Sequence, residues 1–440
     1  MRLVFHPKMS AAELTYLTVG CAHDVNVSMV FPLVLDTELR PEEIREELLE
    51  LAATVPRFRQ RIVRESPWAI NWSAAEDVRV ESHLTEIAVG EGGLDAAFAQ
   101  LPALLDRPFD YGEPPWQALY FHGMPDGRSL LILRLHHCMG DGLTYVAAFR
   151  QAFGNPEAGL TAIEAAGGLG RAARALAEQV CRTTAAAGRA VAHALVPSGR
   201  AGLRDEFQIW STPPPPGRMD RTRSGQRIAM WTVPTEDWAR IARENGVRRN
   251  DLFVLIASYA ESAYRDWPDG HSIAIMPISM RPNPDTGTEQ DGSIALASGV
   301  VVLDRDDIRA GRLTRIGDAT RAARDDALDS SYRPVVPELM QLLPGKLRRL
   351  LNLRLFSRSD LVASNVGGGE RMHVGRAEVS VFTAVSPAVG CPVAFTLYTY
   401  ADRVLLVSSI DPGIIADTGE MESAVEEALA LFTAGATRLV

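Results

Sequence analysis

The first 150 residues alternate between two periodicities. "MVFPLVLD" is an apolar run of strand length, and Pro32 within it predicts an edge strand or a bulge, because proline donates no ladder hydrogen bond. "RPEEIREELLELAATVP" carries apolar residues at helical spacing and gathers its acids early, near the positive end of the helix dipole. "MSAAELTYLTV" opens on a serine suited to cap a short helix. "LDAAFAQLPALLDRPF" predicts a further helix. "WQALYFHG", the turn "MPDGRS" and "LLILRLHH" predict a hairpin, after which "GLTYVAAFRQAFG" returns to helical spacing.

From Asn155 to Ser198 the pattern weakens. "AAGGLGRAARALAEQVCRTTAAAGRAVAHAL" reads as one or two loosely packed helices, either a solvated connector or a membrane-surface helix. "STPPPPGRMDRTRSGQR" follows, and its four prolines exclude helix and interior strand, which predicts an extended linker. The expected division is a first domain over 1–200, a linker over 201–224 and a second domain over 225–440. The second half repeats the alternation. "QRIAMWTVP", "SIAIMPISMRP", "SIALASGVVVLD", "RAEVSVFTAV" and "PVAFTLYTYADRVLLVSSI" predict strands. "TEDWARIARENG" is a helix stopped at Gly246, "RNDLFVLIASYAESAYRDW" is apolar enough to be buried, and "DTGEMESAVEEALALFTAG" is amphipathic. The pattern predicts an α/β (α+β) protein of two related lobes, with no clear internal repeat.

Composition narrows the function classes. The chain has 440 residues, 46% hydrophobic and 23% charged, more than one simple core accommodates. A net charge of −10 repels nucleic acid, so no nucleic-acid partner is expected. Cys21, Cys138, Cys181 and Cys391 form no CxxC pair and no disulfide framework, which reads as a reducing, cytoplasmic setting. The N-terminus lacks a signal-peptide pattern, and no stretch reaches the roughly 18 apolar residues of a membrane span. Membrane contact, on this reading, is confined to a surface.

The chemistry concentrates in "LILRLHHCMGDGLTYVAAF", Leu131 to Phe149. Neighbouring side chains on a strand point to opposite faces, so His136 and His137 do not readily chelate one metal. No HExxH or cysteine cluster completes a zinc set, and no metal is expected. A neutral imidazole takes a proton from an alcohol or amine near pH 7. Gly140 and Gly142 allow a tight turn that folds Asp141 back beneath the strand, where a buried carboxylate needs a cationic partner. Arg134 and Arg281 are the candidates. The plain alternative is a pair of structural histidines before a turn. Strand parity sets Cys138 opposite His137, which argues against it as an acyl carrier.

"HHCMGDG" matches the HHxxxDG motif of CoA-dependent acyltransferases and condensation domains. "LDRPFDYGEPPWQALYFHG" resembles the PLW region of the bacterial wax ester synthase/diacylglycerol acyltransferase family, with Pro114 and Trp116 matching and Pro115 in place of Leu. "VPRFRQRIV" is similar to its early PxFRQR segment, "RNDLFVLIASYAESAYR" to its ND helix with Asn250 and Asp251, "MPISMRP" to its PxSxR strand, and "LVASNVGGGE" to its SNVPGP motif. The DFGWG motif of plant-type acyltransferases is absent. The resemblance spans nearly the whole chain.

It implies two chloramphenicol-acetyltransferase-like lobes, each a mixed sheet with helices, and an active-site tunnel between them. It implies His137 as general base, with His136 and Asp141 architectural in the same catalytic motif and Gly142 allowing close approach. It implies Asn250, Asp251, Ser364, Asn365, Pro114 and Trp116 as substrate-binding residues. Acyl-CoA would be a co-substrate rather than a bound cofactor, and a long-chain alcohol or diacylglycerol the acceptor. Two departures leave the acceptor open: Gly367 and Gly369 replace the prolines of SNVPGP, and Gly292-Ser293 stands where Gly-Asn is common. Pro337 to Arg358 concentrates Lys346, Arg348, Arg349, Arg354 and Arg358. It reads as a helix on a membrane or lipid-droplet surface, a site for CoA phosphates, or a packed helix with solvated charges. Two further functions stay open: a condensation-type enzyme drawing acyl groups from a carrier protein, and a non-catalytic acyl-CoA- or lipid-binding homologue. The oligomeric state is not legible.

Overall fold

Period-two alternation decides which face of each strand meets which core. In the computed structural model the described residues are 2–20, 25–66, 69–75, 77–154, 159–162, 181, 184, 188, 225–264, 270–281, 289–329, 340 and 343–440. The linker at 201–224 and almost all of the Ala/Arg-rich connector lie outside them.

Six strands form the first main sheet, in the order His373–Val374, Ala377–Phe382, Ser28–Leu35, Ser129–His136, Trp116–His122, Leu84–Ala88. Leu131, Leu133 and Leu135 point to one face with Phe31, Leu33 and Tyr120, where the helices Pro41–Thr54 and Gly142–Phe153 cover them. Leu130 and Ile132 point to the other face with Val30, Val34, Leu119 and Phe121, against the helix Gly93–Leu105. That second cluster also takes Ile228, Met230 and Val407 from the other lobe, so it cements the two sheets.

The second sheet has seven strands, ordered Leu296–Asp304, His271–Ser279, Leu361–Gly369, Val393–Tyr400, Arg403–Ile410, Arg227–Pro234, Thr437–Arg438. It is mixed: Leu361–Gly369 runs parallel to both neighbours and the remaining pairs are antiparallel. The helix Arg249–Tyr264 is buried across this sheet, as its apolar sequence requires. Thr418–Phe432 lies beside it, capped by the Asp417 carboxylate, which accepts from the Gly419 and Glu420 amides.

The halves also exchange backbone. His373–Val374 and Ala377–Phe382 leave the second half to extend the first sheet, and 289–291 pairs in parallel with Arg2–Val4. Pro32 is therefore not at an edge. Its strand lies between two others, and proline is tolerated because its side of the ladder meets an irregular stretch. There the partner slips register between Val379 and Val381, and Thr383 N–H donates weakly to the Pro32 carbonyl at 3.4 Å.

Candidate active site

The strand Ser129–His136 ends at its first histidine. His137–Met139 is a single 3₁₀ turn, and the helix Gly142–Phe153 follows. The two imidazoles are thus separated by a change of backbone geometry rather than by strand parity. His136 uses both ring nitrogens structurally. Its Nδ1 accepts from Cys138 N–H at 3.1 Å, which leaves Nε2–H to donate to the Tyr111 hydroxyl at 3.1 Å. Its own N–H donates to the Pro115 carbonyl at 3.0 Å.

His137 is held differently. Its Nδ1 lies 3.1 Å from the Gly140 carbonyl, which only accepts, so Nδ1 carries the proton and Nε2 keeps its lone pair. The Tyr16 ring lies flat on the imidazole, with centroids 3.8 Å apart and planes within 5°. The side chain is buried, with 8% of its surface open. Burial pushes the imidazole below its ordinary pKa, opposed in part by its backbone hydrogen bonds and the Asp141 charge. Such a ring is neutral near pH 7, and a neutral imidazole with a free Nε2 can accept a proton.

Asp141 is fully buried and caps the helix that follows. Its Oδ1 accepts from Thr144 N–H at 2.9 Å and from the Thr144 hydroxyl at 3.0 Å. Its Oδ2 accepts from Ala295 N–H at 3.1 Å and lies 2.8 Å from Arg281 Nη1. Arg281 also donates to the Thr144 hydroxyl and to the Ser293 carbonyl. Of the two arginines named from sequence, Arg281 is the partner. Arg134 is spent on Ser28, Gln117 and the carbonyls of Leu105 and Arg107. Asp141 touches neither ring nitrogen of His137 by hydrogen bond, so the two do not form the linked pair of a triad, and Asp141 braces the turn.

Gly142 meets the other lobe. A Cβ there would lie 3.1 Å from Val366 Cγ1, so only glycine lets the helix start close on the strand Leu361–Gly369. In that strand Ser364 is buried, and Asn365 is exposed and donates to Asn250 Oδ1 at 3.2 Å. Asn250 in turn donates to Met276 Sδ at 3.2 Å, so the two asparagines meet across the second lobe. Gly367 adopts a φ of 84°, which proline, fixed near about −65°, cannot. The ladder slips register between Asn365 and Gly368, so this wall has its own turn geometry.

Three residues drawn in by their motifs face elsewhere. Asp251 is buried in the second core, where it accepts from Arg248 N–H and the Thr320 hydroxyl and so fastens the start of its helix. Trp116 is buried in the first core, donating to the Phe58 carbonyl at 3.0 Å and stacked on His83. The Pro114 carbonyl accepts from Trp116 N–H. Cys138 is in the 3₁₀ turn rather than the strand; its thiol is buried and pushed well above its usual pKa, mainly by desolvation.

The helix Ala11–Gly20 supplies what the sequence reading did not. Glu13, Tyr16 and Gly20 share one face at i, i+3 and i+7. Glu13 reciprocates with Ser10 in a capping box and pairs with the fully buried Arg57 at 3.3 Å. Tyr16 covers His137. Gly20 lets the helix end press on His136, because a Cβ there would come 2.6 Å from its Nε2. The spacing was visible in "SAAELTYLTVG"; the object it grips lies over a hundred residues away.

Known proteins resemble the chain along most of its length. Residues 21–253 match the wax ester synthase/diacylglycerol acyltransferase catalytic domain, and 302–432 match the family's C-terminal domain. Two Mycobacterium tuberculosis proteins that carry the name diacylglycerol O-acyltransferase are similar to the chain. One is 25% identical over 97% of each chain, the other 24% identical over 86% of this chain and 85% of its own. Among solved structures, the wax ester synthase/diacylglycerol acyltransferase of Marinobacter aquaeolei VT8 shares the fold with a TM-score of 0.61 at 16% identity, covering 96% of this chain and 98% of its own. The first condensation domain of the calcium-dependent antibiotic synthetase shares it equally, at 0.61 and 14% identity over 99% of both. With more than half its length matched by the catalytic-domain model, the chain belongs to the wax ester synthase/diacylglycerol acyltransferase family and is an acyltransferase.

Proposed function

We propose that the protein transfers an acyl group from acyl-CoA to the hydroxyl of a lipidic alcohol, a long-chain alcohol or diacylglycerol, with His137 as the base. The observation that carries this is the tautomer: the Gly140 carbonyl fixes the proton on Nδ1 and leaves Nε2 to accept. The alcohol oxygen attacks the thioester carbonyl carbon while its proton passes to Nε2. The carbonyl electron pair moves to oxygen and returns as the carbon–sulfur bond breaks. The departing thiolate takes the proton from the imidazolium, giving ester, free CoA and neutral His137. A thioester is already activated, so no nucleophilic side chain is called for. Asp141 and Arg281 hold the turn, and Gly142 against Val366 sets how closely the lobes approach. Asn250 and Asn365 form a hydrogen-bonded polar pair on the second lobe, suited to substrate.

A panel of acyl-CoA donors crossed with alcohols, read by mass spectrometry with His137→Ala as control, tests this reading. Ester formed equally by that variant would refute it. Carrier-bound acyl groups in the same panel distinguish a condensation-type donor.

Lipid contact belongs to the same reading. Among the described residues no helix is long and apolar enough to cross a membrane. The helix Gly345–Phe356 carries Lys346, Arg348, Arg349 and Arg354 and no acid, on a chain of net charge −10. Leu347 and Leu350 are exposed on it, while Leu353 and Phe356 pack toward Tyr16 and Val19. Exposed leucines among cations suit an anionic lipid surface. Flotation with anionic vesicles should carry the protein, and Leu347→Glu with Leu350→Glu should abolish it; equal flotation of the variant would refute the contact.

A further inference from the structure

Tyr16 covers the base, yet stacking alone does not explain its hydroxyl. A phenylalanine would give the same face to His137 and to Phe356, whose ring centroid lies 5.9 Å from that of Tyr16. Among the described residues the Tyr16 hydroxyl meets no hydrogen-bond partner. The side chain is hemmed in by protein but keeps part of its surface open. A polar group is costly to leave unpaired, and this hydroxyl is available, within the described residues, to a group that enters the site.

We propose that Tyr16 is a catalytic residue whose hydroxyl donates a hydrogen bond to the acyl carbonyl oxygen as it becomes an oxyanion. This rests on the acyl-transfer reading above. The attacked carbonyl must lie beside the alcohol that Nε2 deprotonates, and the Tyr16 ring lies flat on that same imidazole. The stack keeps the phenol oxygen within a few ångströms of that ring, in reach of a carbonyl placed beside Nε2. The motif asparagines of the second lobe are partly committed: Asn250 donates to Met276 Sδ and Asn365 donates to Asn250. Tyr16 is also preorganised. Its ring is clamped between His137 and Phe356, and its helix is pinned at one end by Glu13 to Arg57. Burial, with the Asp141 charge second, pushes the phenol up to about 12, so it is a neutral donor across the physiological range. A fixed donor aimed at developing charge is worth most in such a water-poor site. The phenol keeps its proton throughout; only the hydrogen bond shortens as the carbonyl pair moves to oxygen, and the alcohol proton goes to His137.

The test separates this role from a packing role. Tyr16→Phe keeps the stack and deletes the donor. Its kcat should fall by about 10²-fold, the order seen when one oxyanion donor is removed. KM for acyl-CoA and for alcohol, and the acid limb of the pH profile, should stay where they are. Binding gives a readout without turnover. A trifluoromethyl ketone analogue of the acyl donor, whose hydrate is a tetrahedral gem-diol with an oxygen at the oxyanion position, should bind Tyr16→Phe at least tenfold more weakly than wild type. The matching CoA thioether should bind both equally. Unchanged kcat, a loss confined to KM, or an equal loss for ketone and thioether would overturn the proposal. Wild-type protein that forms no ester in the same assay would instead count against the acyl-transfer reading, while the two ligands still report on Tyr16.

Discussion

Arg281 reaches Asp141 from the far lobe, Nη1 to Oδ2 at 2.8 Å, and both side chains are shut away from solvent. The pair joins positions 140 residues apart, so the turn behind His137 is braced by the strand end of the opposite half. Removing one partner of a buried pair strands the other charge. Asp141→Asn should destabilise the protein by about 3–5 kcal/mol, read from urea unfolding. Asp141→Asn combined with Arg281→Met should recover part of that loss, because it removes both charges. A double variant less stable than Asp141→Asn would show that the pair is not the source of the cost.

His137 should dominate turnover and contribute little to the fold. His137→Ala should lower kcat by about 10²–10⁴-fold, the range supplied by a positioned base. Circular dichroism should be unchanged, because the 3₁₀ turn is also held by His136, Tyr111 and Pro115.

The pH dependence follows from the depressed pKa. The proposed mechanism requires neutral His137, so kcat/KM should fall only as pH drops through a value below the ordinary histidine range of about 6.5. Asp141 raises that value, so Asp141→Asn should move the acid limb lower still. Stability carries the same sign. Between the ordinary pKa and the lower folded value, the unfolded chain binds the proton and the folded one does not, so stability declines as pH falls across that window and levels off beneath it. His137→Gln should remove this part of the slope in melting experiments.

Gly142 and Val366 set the lobe spacing. Gly142→Ala places a methyl 3.1 Å from Val366 Cγ1, so overpacking should cost about 1–3 kcal/mol. Val366→Ala in that background should restore part of it. An equal loss with and without Val366→Ala would locate the strain elsewhere.

Local chemistry was legible and long-range partnership was not. The apolar run to His136, the capped helix after Asp141 and the buried helix from Arg249 follow from periodicity. The break in geometry between His136 and His137 did not, because a 3₁₀ turn of three residues has no period to read. The need for an arginine at Asp141 followed from burial, whereas choosing Arg281 over Arg134 required the lobes to be closed. Motif membership drew in Asp251 and Trp116 as substrate residues, while packing turns each side chain into a core. Of the two expectations for Pro32, edge or bulge, the irregular neighbour is the one present, and it is supplied by a strand that arrives from beyond residue 376.

That late-arriving strand has a consequence for synthesis. Ser28–Leu35 is among the first strands to leave the ribosome, yet Ala377–Phe382, which covers its outer edge, comes among the last. Through most of translation the nascent first sheet carries a bare, apolar edge, the kind that pairs with other chains. Closing it spans almost the whole polypeptide, which makes it a slow step by contact order. Truncation before residue 377 should therefore yield aggregation-prone material rather than a folded half.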